Sequence, residues 1–177
     1  MGKSVSRNSA FSMINKGLSV VFPLVTVSYI SRVLGAAGIG EVSSAQNLAT
    51  YFSMAAALGI PSYGVRAIAQ SKRDENSCNK TFSELFTINF ISSIIATVVY
   101  LITAFCFKIN NSNTALALIF SSIIVFNVIN IEWVYQGYEE YEYIMIRSLV
   151  IKIVSILLLF IFVRKKSDLV AYAFIIC

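Results

Sequence analysis

Asn130–Lys152 reads NIEWVYQGYEEYEYIMIRSLVIK and joins two apolar runs. Glu132 and Trp133 sit where a hydrophobic helix would leave a bilayer, and Gln136 and Gly137 break the apolar pattern. Glu139, Glu140 and Glu142 form a short acidic turn, interleaved with Tyr138, Tyr141 and Tyr143. Arg147 and Lys152 then fall inside the next apolar run. A Lys or Arg at the centre of a membrane helix costs about 2.5–3.5 kcal/mol on insertion scales. Such a charge belongs against a protein interior, a water-filled cavity or the headgroups.

Outward from this stretch, the whole chain is built for hydrocarbon. Of its 177 residues, 57% are hydrophobic and 13% charged, with mean hydropathy +0.75. Soluble domains carry about 25% charge, so this chain cannot cover a water-soluble globule. The fold expected is an all-α integral membrane bundle. No strand-like alternation of the kind that builds a membrane barrel recurs. The net charge is +5. Its Lys and Arg are scattered among apolar runs, which points to anionic lipid headgroups and not to nucleic acid. Histidine is absent, and Cys78, Cys106 and Cys177 form no C-x-x-C pair, so no zinc-type ligand set exists. They read as ordinary thiols. No metal, cofactor motif or nucleophile–base pair is visible; Gly35, Gly38 and Gly40 have the wrong spacing for a phosphate-cradling loop, and no strand precedes them.

A spanning helix needs about 20 mostly apolar residues. The runs 11–33, 42–60, 85–107, 115–135 and 144–163 qualify, and 169–177 begins a sixth that stops about halfway. The Gly-rich turn 35–40 separates the first two. Gly59 and Pro61 end the second, because proline lacks an N–H and disfavours helix at the residue before it. A polar segment follows from Arg66 to Lys80, within a loop expected over Ser62–Lys80, and a short polar link runs from Lys108 to Asn113. With the N-terminus in the cytoplasm, that side holds Lys3, Arg7, Arg66, Lys72, Arg73, Lys80 and Arg147. The other holds Arg32, Lys108 and the Arg164–Lys166 cluster. The cationic bias favours this orientation, with the last cluster against it.

Each run carries polar residues at helical spacing. The first has Ser12, Asn15, Lys16, Ser19 and Thr26; the second Ser43, Gln46, Asn47 and Thr50. The third has Asn89, Ser92, Ser93, Thr97, Tyr100 and Thr103. Asn127 and Asn130 lie on the fourth, and Ser148, Lys152 and Ser155 on the fifth. Taken singly, these are helix–helix contacts. Taken together, they could enclose a hydrophilic cavity. Lys16 and Lys152 could bind a diphosphate there, or could snorkel to the headgroups. Arg147 reads as an interfacial anchor or a partner of Glu132 or Glu142. Glu132 reads as half of that pair or as a protonatable coupling group. The acids of the 139–142 turn read as exposed charge.

The order E-W-x-Y-Q-G-x-E-x-Y-x-x-I-x-x-R-x-x-x-x-K resembles the polysaccharide transporter branch of the MATE-like flippases, the Wzx-type O-antigen flippase family. Tyr29-Ile30-Ser31-Arg32-Val33-Leu34-Gly35, with Gly38 and Gly40 after it, resembles a second family pattern. There Ser28 replaces the usual proline and Ile39 the usual aromatic. Tyr51-Phe52, Gly59-Ile60, Tyr63-Gly64 with Arg66, and Asp168 extend the likeness along the chain. The resemblance implies the N-terminal lobe of a transporter with two six-helix lobes around a central cavity, in the bacterial inner membrane with its N-terminus cytoplasmic. The substrate implied is an undecaprenyl-diphosphate-linked oligosaccharide; the partners are membrane lipid and other membrane proteins of polysaccharide assembly. Arg32, Arg66, Glu132, Arg147 and Lys152 match charged positions of the pattern. Candidate cavity residues are Lys16, Lys152, Arg32, Asn47 and Asn127, with Glu132 and Arg147 as a structural or coupling pair and Arg66 as a cytoplasmic-side charge. The chain is expected to be a lobe fragment, not an enzyme, and inactive in transport alone. Alternatives are a multidrug or lipid-precursor exporter fragment of the same superfamily, a membrane-embedded glycan polymerase or glycosyltransferase, and a small membrane protein that oligomerises.

Overall fold

The computed structural model of the chain describes residues 5–106 and 114–177, with side chains from Asn8 onward. Lys3, the side chain of Arg7 and the 108–113 link lie outside the described residues. The described elements are all helical: α1 (Val5–Ala57), α2 (Ile60–Ser71), α3 (Glu75–Cys106), α4 (Thr114–Phe126), α5 (Glu132–Gly137), α6 (Tyr141–Phe162) and α7 (Leu169–Ile176).

The first two apolar runs form the two arms of α1, which breaks at Gly35 (φ 74°, ψ 172°). That backbone conformation is open to glycine and strained for a residue with a Cβ. The break is therefore one residue wide, and helix resumes through Gly38 and Gly40. The first arm runs beside α6 in the same direction. Tyr29 Oη donates to the Val163 carbonyl at 2.9 Å, and its ring lies 4.4 Å from that of Phe160. Ile30, Leu34, Leu159 and Val163 close the contact. The second arm packs on α3, α4 and α7 through Val42, Ala45, Ala49 and Ala56, around the buried Tyr100, Phe120 and Ile124. Alanines on that face let the helix axes approach closely.

Leu58 (φ 48°) and Gly59 (φ 75°) end α1. Pro61 occupies the first turn of α2, where its missing N–H has no partner to lose. Here the structure departs from the expected loop over Ser62–Lys80: α2 and the first turns of α3 are helical, separated only by residues 72–74. Ile60, Gly64 and Ile68 repeat every four residues and bury one face, while the polar residues between them hide that period. A second departure is α4. The fourth run, expected over 115–135, is helical only to Phe126, and residues 127–131 leave the helix before α5 begins. Past that end, Asn130 Oδ1 accepts the Glu132 N–H at 3.3 Å, a local side-chain turn leading into α5.

The outer faces expose Val20, Leu24, Ile95, Ile102, Leu157 and Ile161, each by half or more. Apolar exposure on that scale is tolerated in lipid and not in water. Asn8–Ser71, Glu75–Cys106 and Tyr141–Phe162 are long and apolar enough to cross a membrane. The molecule is an all-α, multi-pass membrane protein.

The turn after α6 is closed by one carboxylate. Asp168 Oδ2 accepts the N–H groups of Arg164 (3.0 Å) and Lys165 (2.9 Å). These backbone bonds hold its pKa below the ordinary 3.8. A depressed carboxylate stabilises the folded turn above its unfolded pKa, and that contribution is lost as pH falls through the folded value. Asp168→Asn should therefore speed amide exchange at Arg164 and Lys165 several-fold at pH 7. In the unmodified chain the same loosening should begin only on acidification below the ordinary carboxylate range. Exchange measured by mass spectrometry and corrected for intrinsic rates checks both; unchanged rates in Asp168→Asn would count against the bonds.

Candidate functional site

The break after α4 opens a polar pocket of about 190 Å³. Asn89 of α3, Asn127 and Asn130 of the break, and Glu132 and Gln136 of α5 supply its polar wall. Ala57, Ile60, Pro61 and Trp133 supply the rest. Irregular backbone at membrane depth persists only where protein or a wet cavity satisfies it. Here Asn127 Nδ2 donates to the Ser53 carbonyl at 3.4 Å, and the Asn127 carbonyl accepts Asn89 Nδ2 at 3.5 Å. Both bonds are at the long limit and weak. Asn89 is 7% exposed, and its Oδ1 is buried with no partner. The pocket thus holds one buried carboxamide oxygen without a partner, beside the Glu132 carboxylate.

Glu132 organises its edge. Arg147 Nη2 of α6 donates to Glu132 Oε2 at 3.1 Å, and Gln136 Nε2 donates to Oε1 at 3.2 Å from one turn along α5. The ion pair ties α5 to α6 across the acidic turn, with each side chain about one-third exposed. Glu132 also sits in the first turn of α5, where a negative charge faces the unpaired N–H groups. Arg147 Nε is buried without a partner.

Lys152 lies further along α6, and its Nζ donates to Ser19 Oγ on the first arm of α1 at 2.9 Å. Lys16 is exposed one turn before Ser19. The structure thus brings Asn127, Glu132 and Arg147 to one site, and joins Lys152 to the polar stripe of α1. Arg32, Asn47 and Arg66 are exposed, and none of them lines the pocket. Reasoning from sequence missed Asn89 and Gln136 as site residues. The stripe signal contained Asn89, but nothing marked it as the member that meets the break. Among the described residues, no group of His, Cys, Asp and Glu could hold a metal ion.

A family model described as "polysaccharide biosynthesis protein" matches residues 5–177. The chain belongs to the polysaccharide biosynthesis protein family. A protein of Escherichia coli (strain K12), named as a candidate O-antigen transporter, is 28% identical over 176 residues, 97% of this chain and 41% of the relative. One of Shigella dysenteriae, named in the same way, is 23% identical over 171 residues, 96% of this chain and 42% of the relative. The chain thus spans about two fifths of the length of these curated relatives. No solved structure matches it. The break, its pocket and the Glu132–Arg147 pair fall inside the region matched by the polysaccharide biosynthesis family model.

Proposed function

We propose that the chain forms an N-terminal lobe, or most of one, of a flippase that moves an undecaprenyl-diphosphate-linked oligosaccharide from the cytoplasmic to the periplasmic leaflet of a bacterial inner membrane. The observation that carries this reading is the pocket of five polar side chains at the broken fourth helix, inside a bundle otherwise made for lipid. Discontinuous helices lining a polar space are how transporters build substrate sites within the bilayer. The relatives' O-antigen transporter names supply the substrate class. Transport belongs to the longer protein, and this chain supplies one wall of the path.

Lys152 is the cation placed to meet the diphosphate, because Ser19 holds its ammonium at the α1–α6 seam. Exposed Arg66 on α2, Arg73 in the turn after it and Lys80 on α3 support a cytoplasmic placement of that end. In a full-length protein carrying this lobe, Lys152→Ala should lower glycan export about tenfold, while Lys152→Arg retains most of it. Export is read as lipid-linked glycan reaching the periplasmic face. Undiminished export in both variants would remove Lys152 from substrate binding. A loss for Lys152→Arg as large as for Lys152→Ala would show that the Ser19 contact, not the charge, is what matters.

A further inference from the structure

A polar layer divides the apolar packing of the bundle. On one side lie the core around Tyr100 and Phe120 and, joined to it by Tyr172, the α1–α6 contact. On the other, α2, α5 and the first turns of α3 meet through Ile60, Ile68, Cys78, Leu85 and Trp133. Neither core includes a residue of α3 between Leu85 and Ala96. The buried positions there are Asn89 and Ser93, and each holds a buried oxygen without a partner. The other chain crossings of this layer are not helical. Leu58 (φ 48°) and Gly59 (φ 75°) stand between Ala56 of the first core and Ile60 of the second. Residues 127–131 separate α4 from α5, and Glu139 (φ 63°) stands between α5 and α6. Among the described residues, Leu58 and Glu139 are the only non-glycine ones with positive φ, a conformation that side chains other than glycine adopt under strain. The polar pocket lies in the layer, and Ile60, Pro61, Glu132, Trp133 and Gln136 wall it from the side of the second core.

We propose that α2, α5 and residues 75–86 of α3 form a cap that opens as one cooperative unit while the rest of the bundle stays folded, and that its opening uncovers the polar pocket to water. The exposed charges of the cap, from Arg66 through Glu84, put this end at the membrane surface. A small core joined to its neighbour across polar side chains supplies the weak boundary at which cooperative units separate. Inside the cap the fit is tight. A Cβ on Gly137 would meet Ile68 Cγ2 at 2.7 Å, and Trp133 is stacked on Phe82, so the parts let go together. Across the boundary the bonds are few. Asn89 Nδ2 reaches the Asn127 carbonyl only at 3.5 Å. The α5 helix is held to α6 by the Glu132–Arg147 pair, one-third exposed, and by the Tyr135–Tyr143 stack, with ring centroids 4.7 Å apart. Opening also releases Leu58 and Glu139 from their left-handed backbone, and gives Asn89 Oδ1 a hydrogen-bond partner in water. Such opening is independent of what the longer protein transports.

The test uses the 177-residue chain in lipid nanodiscs, with two readouts of the same opening. Amide exchange, read by mass spectrometry and corrected for intrinsic rates, follows α2, residues 79–86 and the Tyr138 N–H, which donates to the Val134 carbonyl at 3.0 Å. Alkylation by a water-soluble maleimide follows the Cys78 thiol, which is 6% exposed and lies 3.0 Å from Tyr138 Oη. Attached label is mapped separately from that on the exposed Cys106 and Cys177. The three sets of amides should share one opening constant and lose protection together as urea is added. The protection of Cys78 should agree with that constant within about threefold. Arg147→Ala, which removes the tie to α6, should speed all of these about tenfold and leave residues 93–106 unchanged. Opening constants that differ between α2, residues 79–86 and Tyr138 overturn the proposal. So does an Arg147→Ala effect that is confined to α5 or that carries equally past Ser93. If that variant does not fold, the agreement of amides and thiol in the unmodified chain decides the matter.

Discussion

Gly64→Ala is expected to lower the melting temperature of the purified protein by several degrees, and Gly64→Leu to prevent the α2–α5 end of the bundle from forming. A Cβ built on Gly64 would lie 2.9 Å from both Cδ2 and Cζ3 of Trp133, and closer still to Cε3. The ring is also stacked on Phe82 with centroids 5.9 Å apart, so a shift to make room would disturb that contact. Gly137 answers from the other helix: a Cβ there would meet Ile68 Cγ2 at 2.7 Å and the Val65 carbonyl at 3.2 Å. Two glycines thus let α2 and α5 interlock, each receiving the other's large side chain. Overpacking a filled site costs about 1–3 kcal/mol. The control is Gly17→Ala. No atom lies within 4 Å of that Cβ, and alanine in a helix interior gains roughly 0.8–1 kcal/mol over glycine. Trp133→Ala destabilises by itself, but adding Gly64→Ala to it should then cost little. Additive losses would mean that the ring is not what Gly64 accommodates.

Glu132→Ala or Arg147→Ala, each in a full-length protein, should reduce glycan export by an order of magnitude and weaken the fold by roughly 1–3 kcal/mol. That range lies between exposed pairs, worth about 0.2–1 kcal/mol, and buried pairs broken on one side, which cost about 3–5 kcal/mol. One-third exposure of both side chains places this pair between the two. The loss arises from the half-buried charge left without its counter-ion, so the double alanine variant should be less impaired in stability than the sum of the singles. Exchanging the charges should restore most of what either single variant loses. Restoration will be incomplete, because a cation in the first turn of α5 opposes the helix dipole and Gln136 loses its acceptor. Purely additive effects in the cycle would show that the two residues act separately.

The membrane class was legible from composition, and the helix that each apolar run would form was mostly legible from its length. The break at Gly35 was legible because only glycine takes that backbone angle easily. The end of α4 was not. Residues 127–135 remain apolar enough to read as helix, and Asn127 and Asn130, whose carboxamides bond the Ser53 carbonyl and the Glu132 N–H, hardly change that hydropathy. The helical state of α2 was hidden for the opposite reason: its buried face is narrow, and its polar residues suggest a loop. At the site, Glu132, Gln136 and Arg147 are near in sequence, so their meeting across one turn follows from short chain length. Asn89 with Asn127, and Ser19 with Lys152, are contacts between distant segments. A polar stripe shows that such a residue faces a neighbour, but the neighbour is chosen by the packing of the bundle.

The most direct test of the flippase assignment is complementation of a strain deleted for its own O-antigen flippase, read as lipid-linked repeat units reaching the periplasmic face. The strain receives this chain alone, or this chain joined to the remaining part of the E. coli relative, with the relative's own N-terminal part joined in the same way as control. The account predicts export from the joined protein and none from the chain alone. A joined protein that inserts at control levels, while the control exports and it does not, would contradict the account.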